Sequence, residues 1–193
     1  MSRPVDERRP EELCDAIVHY LTGHGLANLS LRPLAKAVGS SPRGLLYHFG
    51  SKEKMVVQVL AEIRRRQRAS FDGIEGATIS ETCWNVWKQI SSPESEPLFR
   101  LFFEAYGLAL TNPTLYHTFL HDTVDVWLKD IAQPLVHEDV DREDARAFAS
   151  VVLAGLRGFI LDYCTTQDRE RLDRAVRLWA AGLDAMLPGK ELD

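Results

Sequence analysis

Cysteine is scarce and scattered in this chain of 193 residues. There are three, Cys14, Cys83 and Cys164, with no CxxC or Cys/His spacing to join them. That excludes a disulfide framework and a zinc knuckle and leaves three small hydrophobes with thiols. No unbroken run of 18 apolar residues occurs, so no transmembrane helix is expected. The opening "MSRPVDERRPEEL" is charged and lacks the apolar core of a signal peptide, which points to a cytoplasmic protein. Strands, internal repeats and low-complexity stretches are absent from the pattern. So are a Gly-rich phosphate loop, a nucleophile elbow and HExxH, so neither an enzyme nor a resident cofactor is expected.

What is present is charge of two signs, separated along the chain. Residues 1–70 carry 12 Lys/Arg against 7 Asp/Glu, and residues 71–193 carry 11 against 21. The split suggests a basic N-terminal module that meets a polyanion and an acidic body that does not. Apolar residues recur with helical period nearly throughout. The first segment, 11–22, aligns Leu13, Ile17, Tyr20 and Leu21 and ends at Gly23 and Gly25. Ser30 can cap a short helix to Val38, and Ser41 with Pro42 opens another to Phe49. Ser51 opens a long helix to about residue 71, and "DGIEGATI" breaks the chain at 72–79. Further helices read over 80–91, 97–110, 114–132, 141–165 and 168–187. The fold class expected is all-α: an N-terminal three-helix helix-turn-helix domain over 1–52, a connecting helix over 53–71 and a C-terminal helical bundle over 72–193.

The stretch "SSPRGLLYHFGSKEKM" has the outline of helix, tight Gly turn, helix. A helix entering the major groove needs a slim profile and donors at its N-terminal end. Ser41 and Gly44 are slim, and Arg43 can reach a base edge or a phosphate. Tyr47 and His48 project outward while Leu45 and Phe49 turn inward, and Lys52 adds charge. Tyr47 is otherwise a packing aromatic, His48 a polar tie in the turn, and Lys52 a solvated lysine. "LSLRPLAKAVGSSPRGLLYHFGSKEKMVVQVL", residues 29–60, resembles the DNA-binding segment of TetR-family transcriptional regulators in Leu34-Ala35, Val38-Gly39-Ser40-Ser41, Tyr47-His48-Phe49 and Ser51-Lys52-Glu53. It departs in placing Leu46 where the family often has an aromatic. The resemblance implies DNA contact by Arg32, Ser41, Arg43, Gly44, Tyr47, His48 and Lys52. It also implies a ligand-responsive dimeric regulator, usually a repressor, released from a palindromic double-stranded operator by a small-molecule effector. A helical adaptor with an inactive head is the alternative.

The two last helices each carry a second apolar face, rich in small residues: Val151, Ala154, Gly158 and Leu161 on one, Leu178, Ala181, Gly182 and Ala185 on the other. An outer helix of a small bundle needs one such face, so these are read as a homodimer interface of two helices from each chain. The other reading is a helix enclosed in its own subunit. Aromatic density in the body could line an effector pocket, with Trp84, Trp87, Phe103, Tyr106, Tyr116, His121, Trp127, Phe159 and Tyr163 as candidates, or could simply fill a core. The acidic balance there favours a neutral or cationic effector. His117, His121 and Asp125 share one helical face at i, i+4, i+8, a spacing open to a divalent metal, to pocket hydrogen bonds or to a polar flank.

Overall fold

The computed structural model describes residues 10–27, 29–71 and 73–187. All regular structure among them is helical: α1 Pro10–His24, α2 Leu31–Ala37, α3 Pro42–Phe49, α4 Lys52–Ala69, α5 Ile79–Ile90, α6 Glu96–Thr111, α7 His117–His137, α8 Arg142–Thr166 and α9 Arg169–Ala185. By contacts the residues fall into two units, one of Met1–Ala69 with Arg100–Phe119, the other of Ser70–Phe99 with Leu120–Asp193.

The first unit is built on α1 to α4. Leu13, Ile17, Val18 and Leu21 of α1, Leu34 and Ala35 of α2, Leu45 and Phe49 of α3, and Met55, Val59, Leu60 and Ile63 of α4 are buried. The sets of α1, α3 and α4 recur at three or four residues, and Val38 just past α2 extends the pair there, so each helix offers one stripe to a shared core. The basic run of α4 is mostly spent on holding that helix in place. Glu62 takes bonds from Arg65 (2.7 and 2.6 Å) and Arg66 (2.8 Å), and Arg66 reaches Asp15 of α1 at 2.6 Å. The Arg65 bond holds the Glu62 carboxyl below its ordinary range.

The second unit packs α5, α7, α8 and α9 around Cys83, Leu128, Ala132, Leu135, Phe148, Val152, Ala180 and Leu183. Caps set its helix ends. Thr78 Oγ1 accepts from Glu81 N–H (3.1 Å) while Glu81 Oε2 accepts from Ala77 N–H (2.9 Å). Asp141 Oδ1 accepts from Glu143 and Asp144 at the start of α8. Between α8 and α9, Gln167 turns the chain at φ 57 and Arg171 grips Asp162 at 2.7 and 3.0 Å.

One expectation needs correction. Helix α7 does not stop at 132: it runs through Pro134 to His137. Proline costs a ladder bond there, but Leu135 and Val136 beyond it join the core, and their burial offsets the loss. Helix α8 is also long and apolar enough to cross a membrane by length and composition, at mean hydropathy 1.5. Charged residues interrupt every 18-residue run, which is why an unbroken-run test passes over it. Its apolarity serves two faces, one in the core just named and one uncovered.

All three cysteines are free thiols. Burial pushes Cys14 up to about 11 and Cys83 up to about 12. A thiolate is the reactive form, so at pH 8 roughly one Cys14 in a thousand and fewer Cys83 are ionised. Alkylation of the native protein at pH 8, followed by peptide mass spectrometry, should leave both unmodified over times that fully label the unfolded chain.

Candidate nucleic-acid interface

The turn between α2 and α3 is made by a glycine in a left-handed conformation. Gly39 has φ 67, and Ser40 N–H donates back to Ala35 O at 2.8 Å, closing the end of α2. Ser41 then caps α3 by accepting from Gly44 N–H at 3.0 Å, with Pro42 at the first helical position. The left-handed glycine and the Ser41 cap together fix where α3 begins. Its far end stops at Gly50, φ 81, and Ser51 Oγ starts α4 by accepting from Lys54 N–H at 3.1 Å. At Ser30 the backbone has the cap geometry, but the hydroxyl makes no cap bond.

Helix α3 is sharply two-faced. Leu45 is 0% exposed and Phe49 3%, while Tyr47 is 76% exposed. Tyr47 meets His48 edge-on with ring centroids 5.5 Å apart. The packing reading of Tyr47 therefore fails, since a phenol so exposed fills no core. Arg32, Arg43 and Lys52 are exposed, Ser41, Gly44 and His48 half-buried. A Cβ at Gly44 would lie 2.8 Å from Ser40 Oγ, so the slim profile there is also a packing requirement. Lys36, in the last turn of α2, is exposed too and was not among the expected contacts; Lys54, in the first turn of α4, is exposed and adds to the charge of Lys52. Over residues 29–60 five Lys/Arg face a single carboxylate, Glu53. That carboxyl is held below its ordinary range by its own backbone N–H and by the Ser51 hydroxyl.

The profile of the bacterial regulatory proteins of the tetR family matches residues 13–59. Residues 13–59 are thus an N-terminal domain of the tetR type. No curated protein matches it. Among solved structures it is similar to a transcriptional regulator from Rhodococcus sp. Rha1, at 19% identity and TM-score 0.76 over 91% of this chain and 96% of that one. The multidrug binding protein EbrR complexed with imidazole aligns at 20% identity and TM-score 0.64 over 96% and 98%. BioQ with its double-stranded DNA operator aligns at 19% and 0.56 over 93% and 99%. Identities this low establish a shared fold. The all-helical architecture with its helix-turn-helix head is thus a TetR-type fold.

The remaining expected residues, those of the body, lie in several places. In the second unit Trp87 is fully buried, its indole N–H donates to Asp173 at 2.6 Å, and its ring meets Phe159 and Tyr163 at 6.4 and 6.0 Å. Asp173 also accepts from Arg169 at 2.9 Å. Phe159 adds Trp179 at 5.3 Å, a residue of the apolar face of α9. Trp84 lies under the Arg177 guanidinium, 3.6 Å from the ring centre, and Trp127 packs edge-on against Phe71 at 4.8 Å. His121 pairs with Asp125 at 2.7 Å, and Asp125 takes Arg146 at 2.6 Å. Among the described residues no group of three His, Cys, Asp or Glu is arranged to hold a metal. In the first unit Tyr106 lies near Phe102 and Phe119, and Phe103 near Phe102. Tyr116 is buried there, which raises its phenol, with Glu53 adding to the shift. An open polar groove of about 410 Å³ along Gly73, Ile74, Glu75, Asn85, Lys88 and Gln89 holds none of these residues.

The eight residues expected at a dimer interface are all exposed within the single chain, with Val151 at 43%, Leu161 at 48% and Leu178 at 79%. Added Cβ atoms at Gly158 and Gly182 would meet nothing. Neither helix is enclosed by its own subunit on this side.

Proposed function

We propose that the protein is a dimeric, ligand-responsive transcriptional repressor acting in the cytoplasm. The observation that carries the reading is α3: a capped, basic-ended helix whose Leu45 and Phe49 are buried while Arg43 and Tyr47 stand in solvent. A helix so mounted has its polar side free for a major groove. Arg43 and Tyr47 read base edges, and Arg32, Lys52 and the backbone N–H groups at the helix starts after Ser30 and Ser51 hold phosphates. Gly44 lets the helix approach, and His48 supports Tyr47. BioQ, of the same fold, is seen with its operator, which favours the same use of this head.

Two heads reach two half-sites when the exposed stripes of α8 and α9 pair across a twofold axis, Val151, Ala154, Gly158 and Leu161 against Leu178, Ala181, Gly182 and Ala185. The operator is then palindromic. The aromatic body, including Trp84, Trp87, Phe103, Tyr106, Tyr116, His121, Trp127, Phe159 and Tyr163, supplies the residues from which an effector site is built. An effector releases DNA only if it favours a conformer that reads DNA poorly. EbrR, seen with imidazole, supports a small-molecule role for this type of body.

The test is selection of duplexes from a random pool by the purified protein, followed by mobility shifts at rising salt. A pseudo-palindromic site should emerge. With six to ten phosphate contacts its affinity should fall by about 10³ or more between roughly 50 and 200 mM salt. A protein that retains no duplex at low salt is not this regulator.

A further inference from the structure

Glu104 lies on α6, a helix the sequence gives no reason to connect with DNA. Its carboxylate Oε2 accepts the backbone N–H of Leu26 at 2.5 Å, across 78 residues of sequence. The place it grips is specific. Helix α1 ends at His24, and Gly25 follows with φ 72, its N–H donating to Leu21 O at 2.8 Å. That arrangement uses one helix carbonyl and leaves the next N–H, that of Leu26, pointing away from the helix. Leu26 is buried at 6%, so its N–H needs a partner. The glycine also makes room: a Cβ at residue 25 would lie 2.7 and 2.9 Å from the two carboxylate oxygens. Gly25 and Glu104 therefore form a fitted pair. The segment carrying Glu104, Arg100–Phe119, belongs by its contacts to the same compact unit as the head.

We infer that Glu104 is a positioning residue for DNA reading, which fixes the corner between α1 and α2 and is the point where α6 reports to the head. The inference rests on the proposed function for its DNA readout. The corner leads directly into α2 at Leu31, and α2 packs on α3, so a loosened Leu26 lets the reading helix shift against α4. An effector that draws α6 away takes the Glu104 carboxylate from that amide and so weakens reading without touching DNA. Charge-assisted bonds to a backbone N–H are short and strong relative to neutral ones, which suits a contact that must hold and release.

The experiment compares wild type, Glu104→Ala and Glu104→Gln. Alanine keeps the helix, being its best former, and glutamine keeps an oxygen for the amide. Hydrogen exchange at Leu26 and affinity for the selected duplex are measured on each, with dimer mass as control. Glu104→Ala should exchange Leu26 about tenfold faster and bind the duplex about tenfold more weakly, as loss of one such bond implies. Glu104→Gln should restore both to within about twofold. The inference is overturned if alanine leaves Leu26 protection or duplex affinity at the wild-type level, or if glutamine loses as much as alanine. If wild type binds no duplex the proposed function fails on its own, and Leu26 exchange still decides whether Glu104 holds the corner.

Discussion

Leu161→Asp combined with Leu178→Asp is expected to turn the protein into a monomer that keeps its fold. In the single chain Leu161 is 48% exposed and Leu178 79%, so aspartate at either place meets water and disturbs no core. Surface changes of that kind alter the stability of a subunit little. In a dimer the same carboxylates lie among Val151, Ala154, Ala181 and Ala185, at a cost of about 3 kcal/mol or more for each charge left buried and unpaired. Twofold symmetry repeats every substitution, so even one such charge per chain weakens the dimer by about four decades. Light scattering at micromolar protein should give the mass of one chain, and circular dichroism should be unchanged. Duplex affinity should fall with it, because one head holds one half-site. A variant that stays dimeric would move the interface away from α8 and α9.

The same pair of helices shows what periodicity can reveal. Apolar residues on two sides of α8, Phe148 and Val152 on one, Val151 and Leu161 on the other, mark a helix with two jobs, and the exposures separate them. The head was legible for a related reason. Ser41, Pro42 and Gly44 act on their own neighbours, and Leu45 and Phe49 lie four apart, so cap and stripe are local facts. Gly25 is local in the same way. The aromatics of the body are not. Ring density shows that Trp87, Trp84 and Trp127 want partners, but it does not name Asp173, Arg177 or Phe71, each of which comes from a distant part of the chain or another element. Glu104 is the extreme case: an ordinary acidic residue on a helix, given its task by an amide 78 positions away. The end of α7 was hidden for a different reason: Pro134 disfavours a helix locally, and the burial of Leu135 that offsets it is a tertiary fact.

Arg43→Ala and Lys52→Ala should both weaken duplex binding, but in different ways, and the difference tests the division of labour on the head. Arg43 sits one residue inside the capped start of α3 and is exposed, with Tyr47 one turn further along the same helix. A guanidinium there reaches a base edge, and a good contact of that kind discriminates by about 1–3 kcal/mol. Two half-sites double it, so Arg43→Ala should cost roughly 30-fold to 10⁴-fold on the selected site and far less on random duplex. Tyr47→Ala, removing a ring that is 76% exposed and supports nothing in the core, should act in the same sense with the fold intact. Lys52, at the first turn of α4 behind Ser51, faces phosphate by this reading. Its loss should weaken selected and random duplex alike and lower the salt slope by about two for the dimer, about one for each phosphate contact. Titrations of the three variants on both duplexes across salt separate the effects. Equal losses on selected and random DNA from Arg43→Ala and Tyr47→Ala would mean that α3 lies on the backbone and that another element reads the bases.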